Sequence, residues 1–504
     1  MNRPLMIGAA LVGLAGLLVF SLSQKPATNR TAPATDSAGT EPQRPLSVFC
    51  AASNRTVMES IRKAYQQETG REIEVQYGAS QTLLTNLEIS RTGDLYLPAD
   101  SSYLEMANSK SLIAERFPLA KMKLVVAVLQ GNPKQINGLS DLLRSDVRLV
   151  QANPDAAAAG KLTRSVLSAK GQWQALEGAT EAFRGTVTDV ASDLKVGAAD
   201  AGIVYDAVLH DFPELEAIEI PELAEAVSDI SVAVVKSTSE PQRALHFARW
   251  LSASDKGLRM YAEHGFQTVP GDQWSEHPEI VLYAGAMLRP AIEQTIQRFE
   301  EREGVEVTRV YNGCGILVAQ MKAGENPDAY FACDQEFMNQ VPDLFPAPVD
   351  VSENELVILV QKGNPHQVAE LKDLTNEGLR VGIGHEKQCA MGWLTQNTLK
   401  EGGVQESVMK NVTVQSPTGD LLVNQMLAGS LDAAVVYLSN AVGADEKLDA
   451  VRIQGLPCSI ATQPFAISEK TRFPRLTSRL LDTLRSEESK NVFLQEGFRW
   501  KESK

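Results

Sequence analysis

This chain of 504 residues has little of what metal and redox chemistry needs: five cysteines and six histidines. Five cysteines over such a length cannot staple a disulfide scaffold, and none stands in a CxxC pair or a zinc-finger spacing. The histidines form no HExxH or related pattern, so no metal site and no cofactor are expected. Positive charge is also short, with 48 Lys and Arg against 63 Asp and Glu and a formal net charge of −15. Nucleic-acid backbones and anionic lipid surfaces both need a positive field, which excludes them as the main partner. A catalytic set is missing as well. No nucleophile, base and orienting group come together in the motifs, and the histidines fall outside the strongest repeated segments, with His385 in GHEKQC the exception. The chain therefore reads as a non-enzyme, and it carries no kinase, cyclase or other output region.

What the chain does have is enough apolar residue, 43%, for several cores. At the start, Arg3 precedes an apolar run from Leu5 to Leu22, about the length of a bilayer-spanning helix. A cleaved signal peptide is the rival reading. Such peptides have a shorter apolar region and an A-x-A-like site, whereas SLSQKPATNR follows here, and no cysteine invites lipoprotein anchoring. Residues 1–23 are thus expected to be a membrane anchor, and 24–45, rich in Pro, Thr, Ser and Ala, a flexible tether. In either case the bulk is exported: to the periplasmic side of the inner membrane if anchored by 5–22, or into the periplasm if cleaved.

The rest of the chain is written twice. LSVFCAAS from Leu46, YGASQTLL from Tyr77 and GDLYLPAD from Gly93 return as IVLYAGAM from Ile280, YNGCGILV from Tyr311 and PDAYFACD from Pro327. QGNP at Gln130 is echoed by QKGNP at Gln361, and DAGIVYDAV from Asp200 by DAAVVYLSN from Asp432. Two tandem domains are expected, 46–270 and 279–504, joined near VPGDQWSEHP. Within each, short apolar runs of strand type alternate with helix-period segments, the pattern of a parallel sheet covered by helices. The strand-to-helix junctions suit a backbone anion site.

VFCAAS, YGASQTL, GDLYLPAD, NPDAAAAGKL from Asn153 and AGIVYDA from Ala201, taken together and in order, resemble the periplasmic molybdate-binding proteins, the solute receptors of oxyanion ABC importers. The resemblance runs through both copies. It implies an α/β fold of two periplasmic-binding-protein-like domains, each with two lobes, a hinge and an interlobe cleft. It further implies capture of a tetrahedral oxyanion, molybdate or tungstate, for delivery to an ABC transporter permease. The ligand residues of the family map onto Ser53, Ser80, Ala159, Val190 and Tyr205. Copy one is shorter than the family between Val190 and Tyr205, so Thr188 is an alternative donor. Ser53 and Ser80 also read as plain helix N-caps, and Asp94 and Asp100 as carboxylates that fix a turn. An alternative role is a membrane-tethered sensor of an oxyanion or soft metal acting through a partner; an enzyme on the same fold is the third reading.

Copy two departs from the pattern. Met287, Cys314 and Met391 stand where Ser53, Ser80 and Ala159 stand in copy one, and only Tyr437 keeps its type. Three readings follow: a degenerate structural copy, a site for another ligand held by backbone groups, or a soft-metal site for an ion such as Cu(I). A disulfide between Cys314 and Cys389 is a further expectation.

Overall fold

Residues 44–502 are described by a computed structural model. The anchor expected over 1–23, and all but the last two residues of the tether, lie outside this range. Among the described residues no helix is long and apolar enough to cross a membrane.

The apolar run LSVFCA forms β1 (Leu46–Ala51), which pairs in parallel with β2 (Ile73–Gly78) and β3 (Leu95–Leu97). The helix between β1 and β2, Arg55–Thr69, buries Val57, Met58, Ile61 and Tyr65. Their spacing puts them on one face. Gly70 ends it at φ +71°, a conformation that costs glycine nothing.

Next come β4 (Ile113–Leu129), β5 (Leu149–Ala152), β6 (Thr180–Arg184), β7 (Ala201–Tyr205), β8 (Leu215–Ile218), β9 (Val227–Val235) and β10 (Gln267–Thr268). The strand order is β2-β1-β3-β9-β4-β7-β5-β6, with β8 and β10 added on β4. The long β4 makes this two lobes: residues 113–123 pair antiparallel with β9, and residues 124–128 with β7. It crosses from one lobe to the other at Lys123–Leu124. The second domain repeats the order strand for strand, with Val349–Gln361 as its crossing strand and Ile460–Ile467 and Ala433–Tyr437 as the two partners.

A buried ion triad joins the two domains. Glu303 ends the helix Arg289–Glu303 of the second domain and accepts from Arg249 of the first (3.0 Å) and from Arg479 (2.7 and 3.1 Å). Beside it Arg302 pairs with Glu115, and the carboxylate of Asp272 accepts the backbone N–H groups of Arg475 (2.7 Å) and Leu476 (2.9 Å). Asp272 thus caps the helix Pro474–Leu484 from the connecting segment.

Candidate ligand-binding clefts

In copy one, four helical segments begin at the same point between the lobes. They are the short 3₁₀ turn Ala52–Asn54 that leads into Arg55–Thr69, and the helices Ser80–Ser90, Ala158–Ala169 and Val187–Lys195. Three of the four residues that precede them, Ala51, Ala79 and Ala157, are alanines with no side-chain cap. Alanine is among the poorest N-cap residues, at a cost of about 1 kcal/mol each relative to serine or aspartate. The first-turn N–H groups therefore lack a side-chain acceptor from the cap position, and these helix starts line a small cavity. Only Thr186 caps its helix, accepting from the N–H of Asp189 at 3.2 Å.

The cavity holds about 20 Å³ for the centre of a water-sized sphere, and seven of its thirteen lining residues are alanine. Such short side chains let backbone amides form the wall. No charged side chain lines it. The polar side chains that do are Ser53, Ser80, Thr186 and Tyr205. Ser80 Oγ accepts from the N–H of Ala99 at 3.1 Å, which leaves its proton for a ligand. Tyr205 is fully buried, and its hydroxyl meets Ser228 Oγ at 2.8 Å. Burial raises the Tyr205 pKa above the usual phenol range, more than the Ser228 hydrogen bond lowers it, so the group stays a neutral donor. Tyr205 pairs with Leu124, one residue from where β4 changes lobes, and Ser228 lies on β9. The Tyr205–Ser228 bond therefore sits on the hinge itself.

The lobes touch directly around the cavity. Gln81 N–H donates to Ala156 O at 3.1 Å, Thr188 Oγ1 to Ala52 O at 3.5 Å, and Lys161 Nζ to Ser102 Oγ at 3.2 Å. Neutral donors aimed inward from helix starts on both lobes are what a tetrahedral dianion requires, since the dipoles favour negative charge and no fixed cation is needed.

Copy two keeps the frame and changes the chemistry. The helices Cys314–Lys322, Ala390–Glu401 and Gly419–Leu427 begin at the equivalent places, after Gly313, Cys389 and Thr418. Met287, Cys314, Met391 and Tyr437 are all buried there. The Cys314 and Cys333 sulfurs lie 2.8 Å apart, and the N–H of Cys333 donates to Cys314 Sγ at 3.1 Å, just as Ala99 does to Ser80. The buried Tyr437 hydroxyl has no hydrogen-bond partner among the described residues. The strand position of Ser228 is taken by Ala461, which faces Asn354 as Ser228 faces Met122. The approach of the lobes is also closer. A Cβ on Gly313 would fall 2.4 Å from Gln388 O, and one on Gly315 would fall 1.9 Å from Lys387 O.

The family model for the bacterial extracellular solute-binding proteins matches residues 46–267 and again 280–499. The chain belongs to this family. The molybdate-binding protein ModA of Mycobacterium tuberculosis is 30% identical over 244 residues, which are 48% of this chain and 91% of that relative. ModA of Escherichia coli is 28% identical over 200 residues, 38% of this chain and 77% of its own length. Among solved structures, the periplasmic molybdate-binding protein of Azotobacter vinelandii is similar at 20% identity and a TM-score of 0.40, over 45% of this chain and 99% of that one.

In this solute-binding protein the fold brings Ser53, Ser80, Ala159 and Tyr205 around one cavity. Val190 is not on that wall. It sits one turn into its helix, its N–H is spent on Thr186 O at 3.3 Å, and its side chain packs on Gly202. Thr186 and Val187, at the helix start, line the cavity in its place, and Thr188 is turned to the Ala52 carbonyl. The signal missed in the sequence is the capping pair Thr186 and Asp189, which marks the helix start four residues before Val190. Asp94 takes the Ser47 N–H at 2.8 Å and the Thr238 hydroxyl at 2.6 Å, and Asp100 takes the Ser102 N–H at 2.9 Å. Both hold turns. In copy two the disulfide expected between Cys314 and Cys389 is corrected: the sulfur against Cys314 is that of Cys333, and all five cysteines are free thiols. Among the described residues no group of three or more His, Cys, Asp or Glu is arranged to hold a metal ion. His385 caps its own turn, taking the N–H of Lys387 at 3.3 Å.

Proposed function

We propose that copy one captures a tetrahedral oxyanion, molybdate or tungstate, and that the exported chain presents it to the permease of an ABC transporter. The observation that carries this is the convergence of four helix starts, three of them preceded by an uncapped alanine, on a neutral, alanine-walled cavity. Ser53, Ser80 and Tyr205 donate through hydroxyls, and Ala159 with its neighbours through backbone N–H groups. Val187 replaces Val190 as the backbone donor from the fourth helix. The molybdate-binding relatives give the oxyanion its identity in this reading. Donors from both lobes tie binding to closure, with β4 and β9 as the hinge. Copy two does not take the same ion, because its sulfur residues remove the hydroxyl donors at the places of Ser53 and Ser80.

Calorimetric titration of the full chain with molybdate, tungstate and sulfate tests this. Ser53→Ala with Ser80→Ala removes two hydrogen bonds to a charged ligand, each worth about 1.5 kcal/mol. Affinity should fall about a hundredfold. Unchanged affinity in the double variant would remove the site from copy one.

A further inference from the structure

Three of the five cysteines, Cys314, Cys333 and Cys389, stand in copy two where Ser80, Ala99 and Ala157 line the cavity of copy one. Chance burial of small residues does not concentrate thiols at one cleft. Two of them touch: the sulfurs of Cys314 and Cys333 are 2.8 Å apart, at the start of the helix Cys314–Lys322 and just past the strand Ala329–Phe331. Room for both sulfurs is made by Gly285, where a Cβ would lie 2.0 Å from Cys333 Sγ and 3.1 Å from Cys314 Sγ. Cys389 belongs to the other lobe, where it precedes the helix Ala390–Glu401.

We propose that Cys314 and Cys333 are a redox pair that closes to a disulfide within one lobe of the second cleft. The oxidant is a disulfide donor, either a small-molecule disulfide such as glutathione disulfide or a thiol–disulfide oxidoreductase. Cys314 gives up its proton and attacks one donor sulfur, and the other leaves and takes up a proton to become a thiol. Cys333 then gives up its proton and attacks Cys314 Sγ. That forms the bond between the two cysteines and releases the second donor thiol. The protein loses two protons and two electrons, and the donor disulfide becomes two thiols. Both cysteines are buried, and the opposite lobe presses its Lys387 and Gln388 carbonyls onto Gly313 and Gly315 above them. A donor reaches the pair when the lobes part, so oxidation reports on opening of the second cleft. Closing the bond takes the Cys314 thiol out of the position that Ser80 holds in copy one.

The proposal rests on export only for the oxidising compartment, and the test separates the two. The full chain is refolded from denaturant in an oxidising glutathione buffer, its remaining thiols are alkylated under denaturing conditions, and it is digested with trypsin without reduction. Lys322 lies between the two cysteines, so a disulfide joins two separate peptides. The expected result is one joined Cys314–Cys333 species, with Cys50, Cys389 and Cys458 alkylated. Cys333→Ser should abolish it and leave Cys314 alkylated. All five cysteines alkylated, or Cys314 joined to Cys389, would overturn the proposal. Alkylation of the chain in intact cells before extraction then shows whether it meets an oxidant in place: a joined pair supports export, and free thiols there with a joined pair in vitro count against export alone.

Discussion

Replacing Glu303 by Gln should weaken the junction between the two domains more than any surface substitution. The carboxylate is 3% exposed and bonded to both Arg249 and Arg479, one from each domain. Burial alone would raise its pKa; the charges and hydrogen bonds of Arg479 and Arg249 outweigh that and hold it below the usual carboxylate range. Glutamine keeps the shape but leaves two buried guanidinium groups facing a neutral amide. Removing one partner of a buried ion pair costs about 3–5 kcal/mol. Because some hydrogen bonds survive in Glu303→Gln, about 3 kcal/mol is the figure to expect, or a fall of about 6–12 °C in the midpoint of the affected transition for domains of this size. Calorimetry at neutral pH reads it directly. The sign with pH follows from the lowered pKa: the stabilisation is full above the unfolded carboxyl value of about 4.3 and is lost as pH falls through the folded value. The variant should therefore lack that acid step. A Glu303→Gln midpoint within about 1 °C of the parent would refute the reasoning, since it would mean that the triad returns no more than its desolvation costs.

The two hinge tyrosines should respond oppositely to loss of the hydroxyl. Tyr205→Phe strands Ser228 Oγ and should cost about 1–3 kcal/mol in chemical denaturation, whereas Tyr437→Phe removes a hydroxyl that has no partner among the described residues and should be neutral or stabilising. Gly160→Ala places a Cβ 2.2 Å from Ala152 O; displacing the helix Ala158–Ala169 should cost about 1–3 kcal/mol and weaken oxyanion binding in a titration. Asp334 is raised to about 6, chiefly by burial. A raised carboxyl favours the folded state when protonated, so this contribution is lost as pH rises from about 4 through 6, by on the order of 2 kcal/mol. Asp334→Asn should flatten that slope in urea melts at pH 4.5 and 7.5, and an unchanged slope would rule out Asp334 as its source.

Much of this molecule was legible in one dimension. The tandem repeat, the alternation of strand and helix, and the places where β1 and β2 give way to helices follow from local periodicity, which an α/β fold does not override. Ser53, Ser80, Ala159 and Tyr205 could be named because each stands in a motif with a recognisable frame. Val190 could not be placed, because a shift of one helical turn turns a backbone N–H from the cavity to its own helix, and the capping pair of Thr186 and Asp189 that sets the turn is a weak local signal. The pairing of Cys314 with Cys333 rather than Cys389 is not written in spacing at all. It depends on how the end of one strand meets the start of a helix nineteen residues earlier. The same holds for the Glu303 triad, which gathers three charges from helices far apart in the chain. Sequence alone determined the repeated fold and the motifs whose residues line the cavity of copy one, since both are local properties. Tertiary structure decided which donors face the cavity, which sulfurs touch and how the domains join, since these depend on distances that only packing sets.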